Sequence, residues 1–139
     1  MKVNDLFVYG TLKNVDLFES AFNIIPVKST DSSINGELYL AEWYPLYLRN
    51  KRGIVNGKNL SFRGISKTFL ERLDEYEQTK EGIFVRKQIV LKNSGLSWIY
   101  EANPNNEFVK EFICEGNKIK SGIFELNEDI LERVRGYLR

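Results

Sequence analysis

Short strand-like runs dominate this chain and constrain its fold more than any other feature. Each run is rich in apolar, β-branched or aromatic residues and is bounded by turn-forming residues. The runs are Val3–Tyr9, Ile24–Ser29, Ile34–Leu40, Tyr44–Arg49, Leu60–Ile65, Ile83–Leu91 and Leu96–Ala102. The segment Asn93-Ser94-Gly95 predicts a hairpin turn, so the last two strands should be antiparallel neighbours. The more apolar alternate set in the first of them, which we expect to face the core, is Ile83, Val85, Lys87, Ile89 and Leu91.

Helical segments interrupt these runs at Val15–Phe22, at Lys67–Gln78 and from Asn127-Glu128-Asp129 onward. Ser66 can cap the second segment, whose apolar residues recur at helical spacing. The third has acidic residues in its first turn, where they complement the helix dipole. Strands with occasional helices, lacking regular alternation, predict an α+β domain around a mainly antiparallel sheet or a small β-barrel with flanking helices.

The composition is that of one globular domain. The chain has 139 residues, 42% of them hydrophobic and 28% charged, so residues 1–139 are expected to form a single domain with a substantial core. Twenty basic and nineteen acidic side chains leave a net charge of +1. This balance does not indicate the strongly basic surface expected of a nucleic-acid-binding protein. The local basic group is interpreted as a solvated face: Arg49, Lys51, Arg52, Lys58 and Arg63.

Histidine is absent and Cys114 is the only cysteine. These counts exclude a Ser-His-Asp or Cys-His nucleophilic site, a zinc site of several thiolates and an imidazole metal site. Proton chemistry must therefore use carboxylates, lysines or tyrosines, and we expect neither a metal nor a cofactor. The sequence shows no signal-peptide pattern. Its apolar stretches are all much shorter than the about 18 residues that a membrane span needs. The expectation is a cytoplasmic protein without a membrane partner.

The first strand-like run ends abruptly at Gly10-Thr11. Glycine adopts backbone angles closed to other residues, so the chain can turn here and aim N–H groups outward. Such N–H groups form a cradle for an anion such as a carboxylate. The alternative is an ordinary strand followed by an ordinary turn.

Glu77 is a carboxylate on the apolar side of the middle helix. The apolar residues of that helix occupy an arc of roughly 120°. They are Phe69, Leu70, Leu73 and Tyr76. Glu77 falls near the edge of the arc, where burial and the negative end of the helix dipole would raise its pKa and suit it to general acid–base work. Alternatively, Glu77 extends to solvent or pairs with Lys80 or Arg86, and Asp74 is interpreted as a surface or helix-positioning residue.

Three segments in order resemble the γ-glutamylcyclotransferase-like family, also called AIG2-like, and most closely its γ-glutamylamine cyclotransferase branch. The first segment is Phe7-Val8-Tyr9-Gly10-Thr11-Leu12-Lys13 and the second is Tyr44-Pro45-Leu46. The third is Leu73-Asp74-Glu75-Tyr76-Glu77, followed after a short loop by Phe84-Val85-Arg86. The resemblance spans about residues 5 to 102, and we expect residues 103–139 to be a C-terminal extension that packs on the barrel.

The resemblance implies a small β-barrel with flanking helices and a specific activity. In this family the α-amine of a γ-glutamyl group attacks its own γ-carbonyl, which releases an amine or amino acid and forms 5-oxoproline. The catalytic residue would be Glu77, and the substrate-binding residues would be Tyr9, Gly10, Thr11 and Leu12. The partner would be a small γ-glutamyl substrate, with no cofactor; the oligomeric state is left open.

The chain departs from the family pattern at several positions. Phe84 stands where tyrosine is usual, Gln78 where glycine is common, and Leu60-Ser61-Phe62-Arg63 lacks a frequent glycine. These departures leave a second hypothesis open: a non-catalytic binding module of the same fold for an amino-acid-like ligand or a regulatory partner. Tyr100 either lines the pocket or packs in the core or on a sheet face.

Overall fold

A computed structural model of the chain describes residues 3–77, 79–91 and 95–138. The strands are β1 (Asp5–Val8), β2 (Lys28–Asn35), β3 (Glu37–Ala41), β4 (Tyr44–Leu48), β5 (Ile54–Ser61), β6 (Phe84–Leu91) and β7 (Gly95–Ala102). The helices are α1 (Val15–Phe22), α2 (Lys67–Tyr76), α3 (Glu107–Phe112) and α4 (Glu128–Leu138). Short 3₁₀ turns occupy Thr11–Lys13, Thr79–Glu81 and Glu115–Asn117.

Strand β1 lies in the middle of a five-stranded sheet of order β2-β5-β1-β7-β6. It pairs antiparallel with β5 and parallel with β7, so that Leu6 lies opposite both Leu60 and Trp98. The other neighbours are antiparallel, and β3 and β4 form a separate two-stranded ladder. The α+β class is confirmed. The predicted barrel is wrong, because the five-stranded sheet is mixed and open and the β3–β4 hairpin does not join its hydrogen bonding.

Because β1 is buried on both faces after Asp5, its sequence from Leu6 to Val8 is continuously apolar rather than alternating. Leu6 and Val8 belong to one hydrophobic cluster, and Phe7 and Tyr9 belong to another. The first cluster includes residues of α1 and α2: Phe18, Phe22, Phe69 and Leu73. The second includes residues of the β3–β4 hairpin: Leu38 and Tyr47. The hairpin therefore packs on the sheet through side chains.

Strands β2 and β5 do not lie where the apolar runs predict them. The predicted runs were Ile24–Ser29 and Leu60–Ile65, whereas the observed strands are more polar segments paired along their whole length. In β5, Gly57 allows the backbone to lie very close to β1. A Cβ atom at this position would lie 2.3 Å from the Val8 carbonyl oxygen and 2.8 Å from the Phe7 ring. Glycine in this strand reflects close backbone approach.

The β6–β7 pair confirms the predicted antiparallel neighbours, although Asn93 and Ser94 of the predicted turn lie outside the described residues. The predicted inward face of β6 is wrong for its first half, where Phe84 is buried and Val85 is exposed. In its second half Leu91 is buried and Val90 exposed, as predicted. The reason is that the two faces of the sheet are covered at different ends of β6: Phe84 joins the first cluster and Leu91 the second.

The helices follow their local signals. Helix α1 has the predicted bounds, and α2 begins as predicted after Ser66, whose Oγ accepts a hydrogen bond from the Phe69 N–H at 3.1 Å. Helix α2 ends at Tyr76, before the predicted end at Gln78, a residue outside the described part of the chain. Helix α3 was not predicted, although Asn106 caps it. Among the described helices, none is both long and apolar enough to cross a membrane.

The basic group of the sequence faces solvent, and two of its members form ion pairs there. Arg49 Nε donates to Glu101 Oε2 at 2.8 Å, and Lys58 Nζ lies 3.0 Å from Asp31 Oδ1. The other three members, Lys51, Arg52 and Arg63, are exposed as predicted.

Candidate active site

A cavity opens at the end of β1, where the sheet, the β3–β4 hairpin and the ends of α2 and α4 meet. From β1 and its following turn it is lined by Leu6, Phe7, Val8, Tyr9, Gly10, Thr11 and Leu12. The remaining lining residues are Trp43, Tyr44, Pro45, Tyr76, Glu77, Phe84, Tyr100 and Tyr137. The lining is mostly aromatic and aliphatic, as is typical of a small-molecule site with few polar groups.

Glu77 follows α2 directly. Its backbone N–H donates to the Leu73 carbonyl at 2.9 Å, which continues the helical pattern for one residue and keeps the side chain on the inner face. The residue is partly buried, and burial raises the pKa of Glu77 from its ordinary 4.5 to about 8. Within the described ranges, its carboxylate has no hydrogen-bond or salt-bridge partner. The alternative of an ion pair with Arg86 is not observed, because Arg86 binds Asp74.

The turn after β1 contributes Gly10, Thr11 and Leu12 to the lining of the same cavity. The first hydrogen bond of the 3₁₀ turn runs from the Lys13 N–H to the Gly10 carbonyl at 3.1 Å, so the N–H groups of Thr11 and Leu12 precede it. Gly10 has a φ of −122°, so the turn does not depend on a left-handed residue. Gly10 matters instead for close packing, since an added Cβ would lie 3.1 Å from Pro45 Cγ.

Tyr9 and Thr11 are both engaged within the protein. The Tyr9 hydroxyl donates to the Tyr100 carbonyl at 2.5 Å, and burial together with the Glu77 charge raises the pKa of Tyr9 well above its ordinary range. The Thr11 hydroxyl and the Tyr76 hydroxyl are 2.8 Å apart and share a hydrogen bond. These bonds fix the turn against α2 and β7. The predicted residues Tyr9, Gly10, Thr11, Leu12 and Glu77 therefore line one cavity.

A second carboxylate, Asp74, lies one helical turn before Glu77 and is fully partnered. It accepts from the Tyr100 hydroxyl at 2.6 Å and from Arg86 Nη1 at 3.1 and 3.0 Å through its two oxygens. The Arg86 guanidinium also lies 5.0 Å from the centre of the Trp98 ring. Asp74 thus holds the cavity-lining ring of Tyr100, a more specific role than the surface or helix-positioning role predicted for it.

Several lining residues were not identified from the sequence. Trp43 sits at the tip of the β3–β4 hairpin, beside Glu42, whose φ of 58° lies in the left-handed region. Tyr137 comes from α4, far along the chain. The adjacent Tyr44 and Pro45, which belong to one of the family-like segments, also line the cavity. No local pattern marks these side chains as site residues, because tertiary packing brings them to the cavity.

The described residues contain no group of three or more histidine, cysteine, aspartate or glutamate side chains placed to hold a metal ion. Among the described lining residues, the cavity offers one carboxylate, Glu77, with a raised pKa, together with the backbone of the Gly10–Leu12 turn and aromatic walls. Such an arrangement can bind the carboxylate of a small molecule at the turn and transfer a proton near Glu77.

Fold and cavity together define a small α+β domain with a candidate acid–base site for a small molecule. The chain belongs to the gamma-glutamyl cyclotransferase, AIG2-like family, whose model matches residues 6–126. This match extends beyond residue 102, where the three-segment resemblance ended, and supports cyclotransferase activity in general and a role as an enzyme. No curated protein sequence is significantly similar to the chain.

Solved structures share the fold over nearly the whole chain. An uncharacterized protein from Pyrococcus horikoshii is 23% identical, with a TM-score of 0.61, over 95% of this chain and 97% of that one. A protein from Arabidopsis thaliana is 19% identical, with a TM-score of 0.59, over 99% of this chain and 85% of that one. A gamma-glutamyl cyclotransferase is 13% identical, with a TM-score of 0.58, over 96% of this chain and 98% of that one. At these identities the likeness shows the fold.

Proposed function

We propose that this protein is a cyclotransferase that acts on a γ-glutamyl amine or γ-glutamyl amino acid and releases 5-oxoproline and a free amine. The observation that carries the proposal is Glu77, an unpaired carboxylate with a pKa near 8 in the cavity that also contains the Gly10–Leu12 turn. A carboxylate titrating close to neutrality is suited to accept and return a proton at working pH.

The reaction needs little from the protein besides orientation and one base. The α-amine nitrogen attacks the γ-carbonyl carbon, which forms the C–N bond of a five-membered lactam and breaks the bond to the leaving nitrogen. Glu77 accepts a proton from the attacking nitrogen and returns it to the leaving nitrogen. The N–H groups of Thr11 and Leu12 bind the substrate α-carboxylate. This contact holds the α-amine near Glu77 and folds the γ-glutamyl group of the substrate for ring closure.

The test is the variant Glu77→Gln, assayed for 5-oxoproline with a panel of γ-glutamyl compounds. Glutamine keeps the size of the side chain but cannot accept a proton, so kcat should fall by about 10²- to 10⁴-fold while substrate binding survives. Thermal stability should hold or rise slightly, because a neutral amide is easier to bury than a carboxylate.

The matched control is Glu75→Gln, the same change on the exposed face of the same helix. It should leave both turnover and stability unchanged. Full turnover by a folded Glu77→Gln variant would end the catalytic assignment. Binding of γ-glutamyl compounds by the wild-type protein without any 5-oxoproline would instead favour the non-catalytic binding module.

A further inference from the structure

Helix α4 completes the cavity from outside the segment that matches the family. The family match ends at residue 126 and α4 begins at Glu128, yet Tyr137 lines the cavity. Leu131 and Val134 anchor the helix by packing in a cluster with Leu17. The position of Tyr137 is therefore fixed by the packing of α4 on the domain.

Tyr137 and Trp43 form the outer aromatic wall of the cavity. Tyr137 is 52% exposed, which places it at the edge of the cavity, and its ring lies 6.0 Å from that of Tyr76 at 85°. Trp43 packs against the cluster of Leu17, Leu131 and Val134. Its ring lies 5.3 Å from the Tyr44 ring, with the two ring planes at 78°. Such edge-to-face arrangements present ring faces and edges to a ligand.

The charges of the lining restrict what can lie against this wall. Among the described residues that line the cavity, Glu77 is the only one with a carboxylate and none has a cationic side chain. The substrate α-carboxylate can use the backbone donors of the Gly10–Leu12 turn. Besides the α-carboxylate, a carboxylate on the leaving group would meet no cationic side chain among the described lining residues. It would also share the cavity with Glu77, which is unfavourable.

We infer that the aromatic wall of Trp43 and Tyr137 binds the leaving group, and that this group is an apolar, ring-bearing amine without a carboxylate. The inference rests on the proposed cyclotransferase function and assigns Tyr137 as a specificity-determining residue. The ring of the leaving amine packs on the wall while the γ-glutamyl part lies between the turn and Glu77. Tyr137 discriminates substrates by contact and takes no part in proton transfer.

The experiment compares three compounds that differ in one group at a time. Relative to γ-glutamyl-phenethylamine, γ-glutamyl-phenylalanine adds only a carboxylate, and γ-glutamyl-ethylamine lacks only the phenyl ring. We expect kcat/KM for the phenethylamine compound to exceed that for the phenylalanine compound by about tenfold or more. It should also exceed that for the ethylamine compound.

Variants of α4 assign the preference to Tyr137. Tyr137→Ala should lower kcat/KM for γ-glutamyl-phenethylamine by about 2- to 10-fold, through KM, and leave the ethylamine compound unchanged. Tyr137→Phe keeps the ring and should retain the wild-type preference. Arg133→Ala, on an exposed position of the same helix, is the matched control and should change nothing.

Equal kcat/KM for the three compounds, or an equal effect of Tyr137→Ala on the phenethylamine and ethylamine compounds, would overturn the inference while leaving the cyclotransferase function intact. If no compound yields 5-oxoproline, the proposed function fails, and calorimetric affinities of the same three compounds decide the inference. A tighter Kd for the phenethylamine compound that depends on Tyr137 supports the wall as a ligand surface. Equal or undetectable binding overturns it.

Discussion

At the scale of single residues, two carboxylates one helical turn apart have opposite environments. Asp74 is bound by the Arg86 guanidinium and the Tyr100 hydroxyl, which satisfy its oxygens with a cation and a donor. Glu77 faces an aromatic cavity, and burial raises its pKa to about 8. The same chemical group is thus a structural hydrogen-bond acceptor in one place and has a pKa suited to proton transfer in the other.

The raised pKa of Glu77 predicts a pH dependence of stability. In the unfolded chain the carboxyl releases its proton near its ordinary pKa of 4.5, but in the folded protein it does so near 8. Between these values the folded state binds more protons, so the contribution of Glu77 to stability falls as pH rises from about 4.5 to about 8. We expect Glu77→Gln to gain stability relative to wild type across this range, measured by urea unfolding at a series of pH values.

Glu75→Gln is the reference for that measurement, because it removes an exposed carboxylate from the same helix. Its stability relative to wild type should not change in the same way. Parallel pH profiles for Glu77→Gln and the wild type would show that Glu77 has an ordinary pKa in the folded protein.

At the scale of elements, the turn after β1 also packs closely against the β3–β4 hairpin. Gly10→Ala should place a methyl group 3.1 Å from Pro45 Cγ and 3.3 Å from Pro45 Cδ, so the turn and the hairpin must separate slightly. We expect a higher KM for γ-glutamyl substrates and a modest loss of thermal stability. Gly64→Ala is the control, because a Cβ there meets nothing within 4 Å. Unchanged KM and melting temperature for Gly10→Ala would show that this glycine is incidental.

The elements that were predictable are those with local signals. Ser66 marks the start of α2, and the apolar arc after it fixes the face that the helix buries, so the inward side of Glu77 followed from sequence alone. The polar strand β2 carries no such pattern, because its place at the sheet edge comes from pairing with β5. Gly57 interrupts the pattern of β5 for a reason that lies in another strand, the ring of Phe7.

At the scale of the whole molecule, α4 links the end of the chain to the cavity. Val134 is fully buried in the small cluster that holds the helix, so Val134→Ala should cost about 1–3 kcal/mol in the free energy of unfolding. It should also raise KM for γ-glutamyl-phenethylamine, because Tyr137 lies one turn further along. Urea unfolding and steady-state kinetics measure the two effects.

Arg133→Ala changes the neighbouring exposed residue and should alter neither quantity. A Val134→Ala variant that unfolds like the wild type would show that α4 is held by other contacts. Tyr137 itself could not be predicted as a site residue, because the sequence of α4 is that of an ordinary amphipathic helix. Only the packing of Leu131 and Val134 brings Tyr137 to the cavity.

The central place of β1 also governs the order in which this protein can fold. As the chain leaves the ribosome, β1 emerges first, yet its two neighbours are β5 and the still later β7. Both pairings close long loops, which is entropically costly and slow compared with local hairpin formation. The apolar first strand therefore stays unpaired until β5 has been made, and its second edge stays open until β7 has been made. The cavity exists only after β7 has docked, because Tyr100 is one of its walls.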